Sequence, residues 1–91
     1  MPVIVKKASQ QQIDEFKYGA TWEVSDSKEV IYFTEDEYVV VKEGECNLHC
    51  DDIGTVHCEA GDIVLLMKGT TVTWDVPKYV KKYYQCPATI L

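Results

Sequence analysis

Two patterns of apolar and polar residues divide the chain, and the change between them falls at Gly19. Before it, Ser9 precedes Gln12 by three residues, which is the spacing of a helix capping box. Ile13 and Phe16 then share one face of a helix. The pattern predicts a short helix of two to three turns that ends at Gly19.

After Gly19 the chain has the pattern of an antiparallel β-protein. Short runs rich in Val, Ile, Thr, Tyr and Trp are separated by Gly, Asp and Pro, as in strands joined by turns. The predicted strands are residues 21–24, 30–34, 38–42, 46–50, 55–58, 63–67, 71–76 and 79–85. Eight short strands predict a β-sandwich or a β-barrel.

Three glycine-containing segments have the composition of turns, because glycine adopts positive φ angles readily and acidic side chains bond nearby backbone N–H groups. They are residues 43–45, 51–54 and 60–62. The middle segment predicts a hairpin. Symmetric closure of this hairpin places Cys50 opposite Thr55. It also places Leu48 opposite His57.

Composition and charge narrow the class of protein. With 91 residues, 46% of them apolar and 26% charged, the chain is predicted to form one globular domain over residues 1–91. The net charge of −6 repels phosphate backbones, so no nucleic-acid partner is expected. A strand pattern explains the lysines and tyrosines at 78–84 better than base stacking does.

No apolar run approaches the roughly 20 residues that cross a bilayer, and the apolar start at 3–5 is too short for a signal peptide. We therefore expect a cytoplasmic protein with no membrane partner. In a reducing compartment the four cysteines stay as thiols. They are Cys46, Cys50, Cys58 and Cys86.

One group of proteins shares the order and spacing of five segments, residues 37–45, 60–64, 68–69, 73–76 and 80–84. Together these segments resemble the small cupins related to ureidoglycine aminohydrolase and the ethanolamine-utilisation cupins. The resemblance spans nearly the whole chain, from the predicted helix to about Tyr84. It implies an all-β cupin fold, a double-stranded β-helix or jelly-roll barrel, with a short N-terminal helix.

The metal-binding cupins carry a motif in which two histidines precede a glutamate and a glycine. Glu37 and Gly44 keep the spacing of the last two. The histidine positions fall on Ile31 and Phe33 or, with the other spacing, on Val30 and Tyr32, and a third histidine position falls on Val72. One carboxylate cannot hold a divalent ion that needs three or four ligands, so we expect no metal and no other cofactor.

The resemblance implies that Glu37 points into an apolar chamber. Burial disfavours the charged form of a carboxyl group, which makes Glu37 a candidate general acid or base. Lys82 is its predicted partner. It shares a strand face with Val80 and Tyr84, and the resemblance turns that face inward. A structural ion pair is the alternative interpretation.

The same interior is predicted to contact a small organic ligand. The candidate ligand-binding residues are Trp74, Phe33, Tyr32, Tyr38, Tyr84 and Val72. For each ring the alternative is a place in a filled barrel interior. Trp74 is the strongest candidate, because its indole N–H needs a hydrogen-bond partner.

The segment 46–58 also contains three cysteines and two histidines. Their number would suit zinc, but the spacing lacks the Cys-x-x-Cys pair of structural zinc sites. Alternation also places His49 on the face opposite to Cys46 and Cys50. We therefore predict thiols that pack in the core, and we do not expect Cys–His catalysis.

The sequence thus predicts a small-molecule-binding cupin that lacks the usual metal-ligand histidines. If it is an enzyme, the resemblance implies a metal-free hydrolase or isomerase of a small polar metabolite, with Glu37 and Lys82 as catalytic residues. Two alternatives stay open: a non-catalytic accessory barrel that forms a homodimer, and a metalloenzyme with an unusual site centred on Glu37. A chamber above roughly 300 Å³ beside Glu37 would favour ligand binding.

Overall fold

Six antiparallel strands and one helix make up the part of the chain that the structure describes, residues 3–16, 20–50 and 54–85 of a computed structural model. In chain order the elements are β1 (Val3–Lys7), α1 (Gln10–Phe16), β2 (Ala20–Tyr32), β3 (Glu37–Cys50), β4 (Gly54–Glu59), β5 (Asp62–Leu66) and β6 (Thr71–Gln85). The predicted all-β architecture with one short helix before the long strands is confirmed.

One curved sheet contains all six strands. Its order is β1-β5-β3-β6-β2, and β4 pairs with the second half of β3. The first half of β3 lies between β5 and β6, and β2 runs along nearly the whole of β6. The long strands β2, β3 and β6 are therefore neighbours, and their inner faces enclose the core.

The strands are longer than the sequence pattern predicts. Each of three predicted pairs is one continuous strand: 21–24 with 30–34 in β2, 38–42 with 46–50 in β3, and 71–76 with 79–85 in β6. The pattern also misses β1, which pairs with β5. Eight predicted strands therefore become six, because the polar and glycine-containing breaks lie inside strands.

The three long strands share a level at which they are irregular, and we call it the corner (Asp26, Gly44 and Pro77). Asp26 has φ 48° where the pairing of β2 with β6 shifts by a residue. Gly44 has φ 78° beside a shift in the pairing of β3. Pro77, which has no N–H, lies in the matching gap of β6. The prediction of a turn at 43–45 is wrong, because a bulge bends a strand without reversing it.

The bulge at Gly44 also changes which alternate residues of β3 face the core. Val39 and Val41 are buried before it, whereas Cys46 and Leu48 are buried after it. The odd-numbered residues therefore point inward in the first half of the strand and the even-numbered residues in the second half. This change keeps both halves of a single strand packed on one core.

The hairpin of β3 and β4 has the predicted faces but a different register. Cys50 lies opposite Gly54, so the predicted pairing is wrong by one residue. The turn at 51–53 lies outside the described residues. Cys46 and Cys50 are buried, and 39% of the His49 side chain is exposed on the other face. The predicted alternation of thiols and imidazole is confirmed.

The main core lies inside the curved sheet, where each of the six strands contributes side chains. Its buried members are Val3, Phe33, Val39, Val41, Cys46, Leu48, Cys50, Cys58, Val64, Leu66, Val72, Trp74, Val76 and Val80, with Trp22 and Val24 of β2 packed against them. A barrel of this size is filled mainly by such side chains. Any space for a ligand is therefore confined to one end of the interior.

The helix α1 packs on the outer face of the sheet, where Phe16 is buried with Val40 of β3. Its capping box is formed as predicted. The N–H of Ser9 donates to Oε1 of Gln12 at 2.9 Å, and the N–H of Gln12 donates to Oγ of Ser9 at 3.1 Å. Gly19, the predicted end of the helix, lies outside the described residues. No helix within these ranges is long and apolar enough to span a membrane.

Candidate functional site

A small pocket opens on the inner face of β2, β3 and β6, and we call it the chamber. Its volume is about 140 Å³. Its walls are formed by Trp22, Glu29, Ile31, Phe33, Glu37, Lys82 and Tyr84. This volume is below the roughly 300–1,000 Å³ of typical small-molecule sites, so the chamber does not reach the size that would by itself favour ligand binding. Any ligand that it binds is small.

Strand pairing brings the two central charges of the chamber together. Glu37 begins β3 on the same face as the fully buried Val39. Lys82 lies on β6 opposite Val41, which is further along β3. The long side chain of Lys82 reaches back from there towards Glu37. The alternation of two neighbouring strands is therefore enough to place a carboxylate and an ammonium group inside the barrel.

Glu37 and Lys82 form an ion pair that is almost withdrawn from water. Nζ of Lys82 lies 3.8 Å from Oε2 of Glu37, and their side chains are 8% and 14% exposed for the lysine and the glutamate, respectively. The distance is about 1 Å longer than that of a tight charge-assisted hydrogen bond. The two charges therefore attract each other and still leave each other accessible to a polar group in the chamber.

Aromatic rings surround the ammonium group of Lys82. Its Nζ lies 3.9 Å from the ring centroid of Trp74, 4.8 Å from that of Trp22 and 5.8 Å from that of Tyr84. The two indoles meet edge to face, with centroids 6.4 Å apart and planes at 84°. Ring faces attract a cation at these distances. The cage offsets part of the cost of burying the charge of Lys82.

Burial and charge act in opposite directions on Lys82. Burial lowers the pKa of Lys82 below its ordinary 10.5, and the negative charge of Glu37 is the largest influence that raises it. Burial prevails, because water that would hydrate the ammonium is excluded. Between the lowered pKa and 10.5 the unfolded chain binds more protons at this residue than the folded chain does. The contribution of Lys82 to the free energy of unfolding therefore rises with pH through that interval.

We expect Lys82 to titrate below the other lysines in an NMR pH titration of ¹³C-labelled lysine side chains. Glu37→Gln should lower the pKa of Lys82 further, because it removes the nearest negative charge. Glu45→Gln is the matched control: its carboxylate lies on the outer face of the sheet and should leave Lys82 unchanged. A pKa of Lys82 equal to that of the exposed lysines would contradict the buried position described above.

The indole N–H of Trp74 is a buried donor with no acceptor in the described part of the chain. Among the described residues, its Nε1 has no hydrogen-bond partner although the whole side chain is inside the core. An unsatisfied buried donor costs about 1–3 kcal/mol. A hydrogen bond from Nε1 to water or to a polar ligand atom would remove this cost. The indole that contacts Lys82 can therefore also donate a hydrogen bond to a bound molecule.

The structure brings together some of the sequence-predicted site residues and separates others. Glu37, Lys82, Phe33 and Tyr84 line the chamber, and Trp74 lies beneath the ammonium of Lys82. Three of these five lie on β6, Glu37 begins β3 and Phe33 follows β2, so three neighbouring strands bring them to one inner face.

Three other predicted ligand contacts lie away from the chamber. Tyr32 is 62% exposed, because it follows the inward-facing Ile31 and therefore points outward. Tyr38 packs edge to face on Phe16 of the helix, with ring centroids 6.4 Å apart. Val72 is fully buried in the core and does not line the chamber. The placement of Tyr32 and Tyr38 in an aromatic wall is corrected, because strand alternation turns both rings to the outside.

Trp22 and Glu29 line the chamber but were not identified from the sequence. Trp22 lies opposite Lys82, and Glu29 lies opposite Trp74, on β2. The alternation of Trp22 and Val24 is a signal that could have identified the first. No local signal identifies Glu29, because the bulge at Asp26 changes which residues of β2 face inward.

The residues of the chamber do not fit the metal centre that cupins of the metal-binding type contain. Two of the histidine positions are occupied by Ile31 and Phe33, whose hydrocarbon side chains line the wall. The third is the buried Val72. The ammonium of Lys82 also lies beside Glu37 and would repel a divalent ion. The residues of the chamber therefore do not support a reaction that depends on a bound metal ion.

The cysteines do not supply replacement ligands in the chamber. Cys46 lies opposite Cys58, both are fully buried, and neither lines the chamber. The hydrogen bond with Cys46 and burial both raise the pKa of Cys58 above its ordinary range, so this thiol stays protonated. The thiols thus have the properties of core residues.

The sequence profile of the EutQ-like cupin domain matches residues 11–84. This chain belongs to the EutQ-like cupins. The matched range includes the helix except for its first residue, the corner and every residue that lines the chamber. The cupin fold implied by the resemblance is confirmed.

Solved structures agree with this assignment. A DUF861 family protein from Thermotoga maritima superposes with a TM-score of 0.83 at 26% identity, over 91% of this chain and 97% of that one. The EutQ protein of Clostridium difficile gives 0.68 at 20% identity, over 90% of this cupin and 64% of its own length. A putative ethanolamine utilization protein Q from Salmonella typhimurium gives 0.66 at 20% identity, over 90% and 66%. No curated protein matches this cupin.

Proposed function

We propose that this cupin binds one small polar metabolite in the chamber, with Glu37 and Lys82 as the groups that recognise it. The observation that carries the proposal is the ion pair itself. Two charges that are mostly buried lie 3.8 Å apart and line the same pocket. Burying both charges costs free energy that a hydrophobic pair of similar size would not cost.

The size of the chamber limits the ligand. A volume of about 140 Å³ is less than half of the roughly 300 Å³ at the lower end of small-molecule sites. Nucleotides, sugars and peptides are too large for it. The fitting class is a molecule of a few heavy atoms, such as a short carboxylate, amide or urea derivative.

The chemistry of the chamber walls further limits the class of ligand. The ammonium of Lys82 favours a carboxylate or carbonyl oxygen, whereas the carboxylates of Glu37 and Glu29 favour N–H groups. The rings of Trp22 and Phe33 supply flat apolar surface around these groups. A small nitrogen-containing molecule that also has a carbonyl or carboxylate oxygen satisfies both sides.

Glu37 is the group that we place in a proton-transfer role. It contacts the chamber directly, and the neighbouring ammonium of Lys82 stabilises its carboxylate form. A carboxylate in this position accepts a proton from a bound N–H or O–H group and returns it to a leaving group. The proposed activity is accordingly hydrolysis or isomerisation without a metal.

The accessory barrel is the second candidate, and two observations favour it. The chamber is small, and Val30 and Tyr32 on the outer face of the edge strand β2 are 72% and 62% exposed. Exposed apolar side chains on an edge strand suit pairing with a second copy of the chain. In this candidate the pair of Glu37 and Lys82 is structural.

Intrinsic fluorescence tests the proposal, because the two tryptophans of the sequence are Trp22 and Trp74, both in contact with Lys82. We expect at least one of acetate, glycine, acetamide and urea to change the fluorescence saturably at constant ionic strength. Lys82→Met and Glu37→Gln should each weaken that response at least about tenfold, as expected for loss of a charged hydrogen bond.

Lys81→Met is the matched control, since Lys81 is the neighbour of Lys82 on β6 and points to the opposite face. It should bind as the wild type does. Equal binding by Lys82→Met and the wild type would refute the role of Lys82. If none of the four compounds gives a saturable change, the filled accessory barrel is the better description.

A further inference from the structure

A second group of functional side chains lies outside the barrel, on the exposed face of the β3–β4 hairpin. We call it the outer cluster (Glu45, His57 and Glu59). Glu45 and Glu59 are directly opposite each other across the two strands. His57 is two positions from Glu59 on β4, so alternation turns its ring to the same face. One ligand atom from each residue lies within 4.8 Å of the others.

The hydrogen bond made by His57 determines which ring nitrogen is available. Nδ1 of His57 lies 2.9 Å from Oδ1 of Asn47. An amide oxygen only accepts hydrogen bonds, so Nδ1 carries the proton in neutral His57 and Nε2 carries the lone pair. Histidines that bind metals commonly donate their second N–H to an oxygen in this manner. Asn47 therefore orients the imidazole as a ligand.

The distances are close to those of a zinc site. Nε2 of His57 is 3.8 Å from Oε2 of Glu45 and 3.8 Å from Oε2 of Glu59. Ligand atoms around a tetrahedral Zn²⁺ are about 3.3–3.6 Å apart when their bonds are about 2.0–2.2 Å long. All three ligand atoms lie within 4.8 Å of one another, and rotation of the exposed glutamate side chains can bring them to this spacing.

The electrostatics of the cluster favour a cation between the three ligand atoms. Two carboxylates and a nitrogen lone pair converge there, in a chain of net charge −6. Lys7 does not neutralise both acids. It lies 2.9 Å from Oδ1 of Asp62, and its second contact is with Oε1 of Glu59 at 3.6 Å. That contact orients Glu59 and leaves its other oxygen, Oε2, towards His57.

An open groove adjoins the outer cluster and makes an ion there accessible. Its volume is about 470 Å³, and Glu45 and Glu59 line it together with Gly44, Ala60, Lys78 and Tyr79. This volume is in the range of small-molecule sites. An ion with three protein ligands keeps at least one position for water or another molecule.

We propose that Glu45, His57 and Glu59 form a zinc site on the outer face of the hairpin, separate from the chamber. The ligands are Nε2 of the histidine and one oxygen of each glutamate, and Asn47 is the positioning residue of the imidazole. The proposal does not depend on the function of the chamber, because the two sites lie on opposite faces of the sheet.

Isothermal titration calorimetry of the full chain with ZnCl₂ tests this site. We expect one ion per chain for the wild type and no measurable binding for His57→Ala. Asn47→Ala should keep the site and weaken it about tenfold or more, which is typical of the loss of a partner that orients a ligand. Glu59→Gln, with a side chain that is 54% exposed, should give the same loss as His57→Ala without disturbing the fold.

Two variants distinguish this site from other places for the ion. His49→Ala removes the other histidine of the hairpin, whose Nε2 contacts Asp75, and should bind zinc as the wild type does. Glu37→Gln should also bind normally. Absence of binding by the wild type, or its retention in His57→Ala, would overturn the proposal. So would loss in Glu37→Gln, or a thiolate-to-metal charge-transfer band when Co²⁺ replaces zinc.

Discussion

Gly44→Ala should lower the free energy of unfolding by about 3 kcal/mol or more, the sum of two costs. The residue has φ 78°, which alanine adopts only with strain. An added Cβ would also lie 2.0 Å from the backbone oxygen of Tyr79 in β6. Backbone atoms cannot rotate away as a side chain can, so the two strands must separate at the corner. Chemical unfolding followed by circular dichroism measures the loss.

Gly69→Ala is the control that separates the two costs. Gly69 has φ 88°, but no heavy atom beyond its two chain neighbours lies within 4 Å of its added Cβ. This variant should lose only the conformational cost, about 1–2 kcal/mol. Equal losses for Gly44→Ala and Gly69→Ala would mean that the contact with Tyr79 does not constrain the corner.

Lys82→Met should destabilise the fold by about 3 kcal/mol at neutral pH, because it leaves the carboxylate of Glu37 without its cation. Breaking a buried ion pair costs about 3–5 kcal/mol. We expect a value near the lower limit, because the side chain of Glu37 is 14% exposed and keeps some contact with water. The methionine keeps much of the volume of the lysine and still packs on Trp74. Urea unfolding of the variant against wild type measures the difference.

The double variant Glu37→Gln with Lys82→Met should recover most of that loss, because no unpaired charge then remains in the chamber. Lys81→Met, which changes the neighbouring lysine on the outward face, should have little effect. If Lys82→Met and Lys81→Met are equally stable, the ion pair does not support the fold. Together with the single variants, the double variant gives the interaction free energy between Glu37 and Lys82.

The capping box shows what the sequence predicts well. Ser9 and Gln12 bond each other's backbone N–H groups, as the spacing indicates, because the interaction is local and depends on no other part of the chain. The inward position of Glu37 was also predictable, because its spacing to Gly44 matches the cupin motif and the resemblance implies that this glutamate points inward. These features are fixed within a few residues along the sequence.

The ends of the strands were not predictable from local pattern. Gly44 and Pro77 have the composition of turns, yet both lie inside continuous strands. A bulge and a turn favour the same residues, because both need an unusual φ or a missing N–H. Only the pairing with neighbouring strands distinguishes them, and that pairing joins residues far apart in the chain.

The same reason explains the site residues that the sequence missed. Trp22 reaches Lys82 because β2 pairs with β6, a contact between distant parts of the chain. The outward direction of Tyr38 depends on the helix, which offers Phe16 as a partner on the outer face. Alternation along one strand gives two faces, but it does not say which face is inside.

The bulge at the corner determines whether the even-numbered or the odd-numbered residues of β2 face the core. Trp22 and Val24 face the core before Asp26, whereas Ile31 and Phe33 do so after it. Because side chains alternate with a period of two, removing one residue between the bulge at Asp26 and Ile31 would turn that arm of β2 inside out. Insertions and deletions in these strands are therefore tolerated only in even steps, and the length of the chain between corner and chamber is as constrained as the identity of its residues.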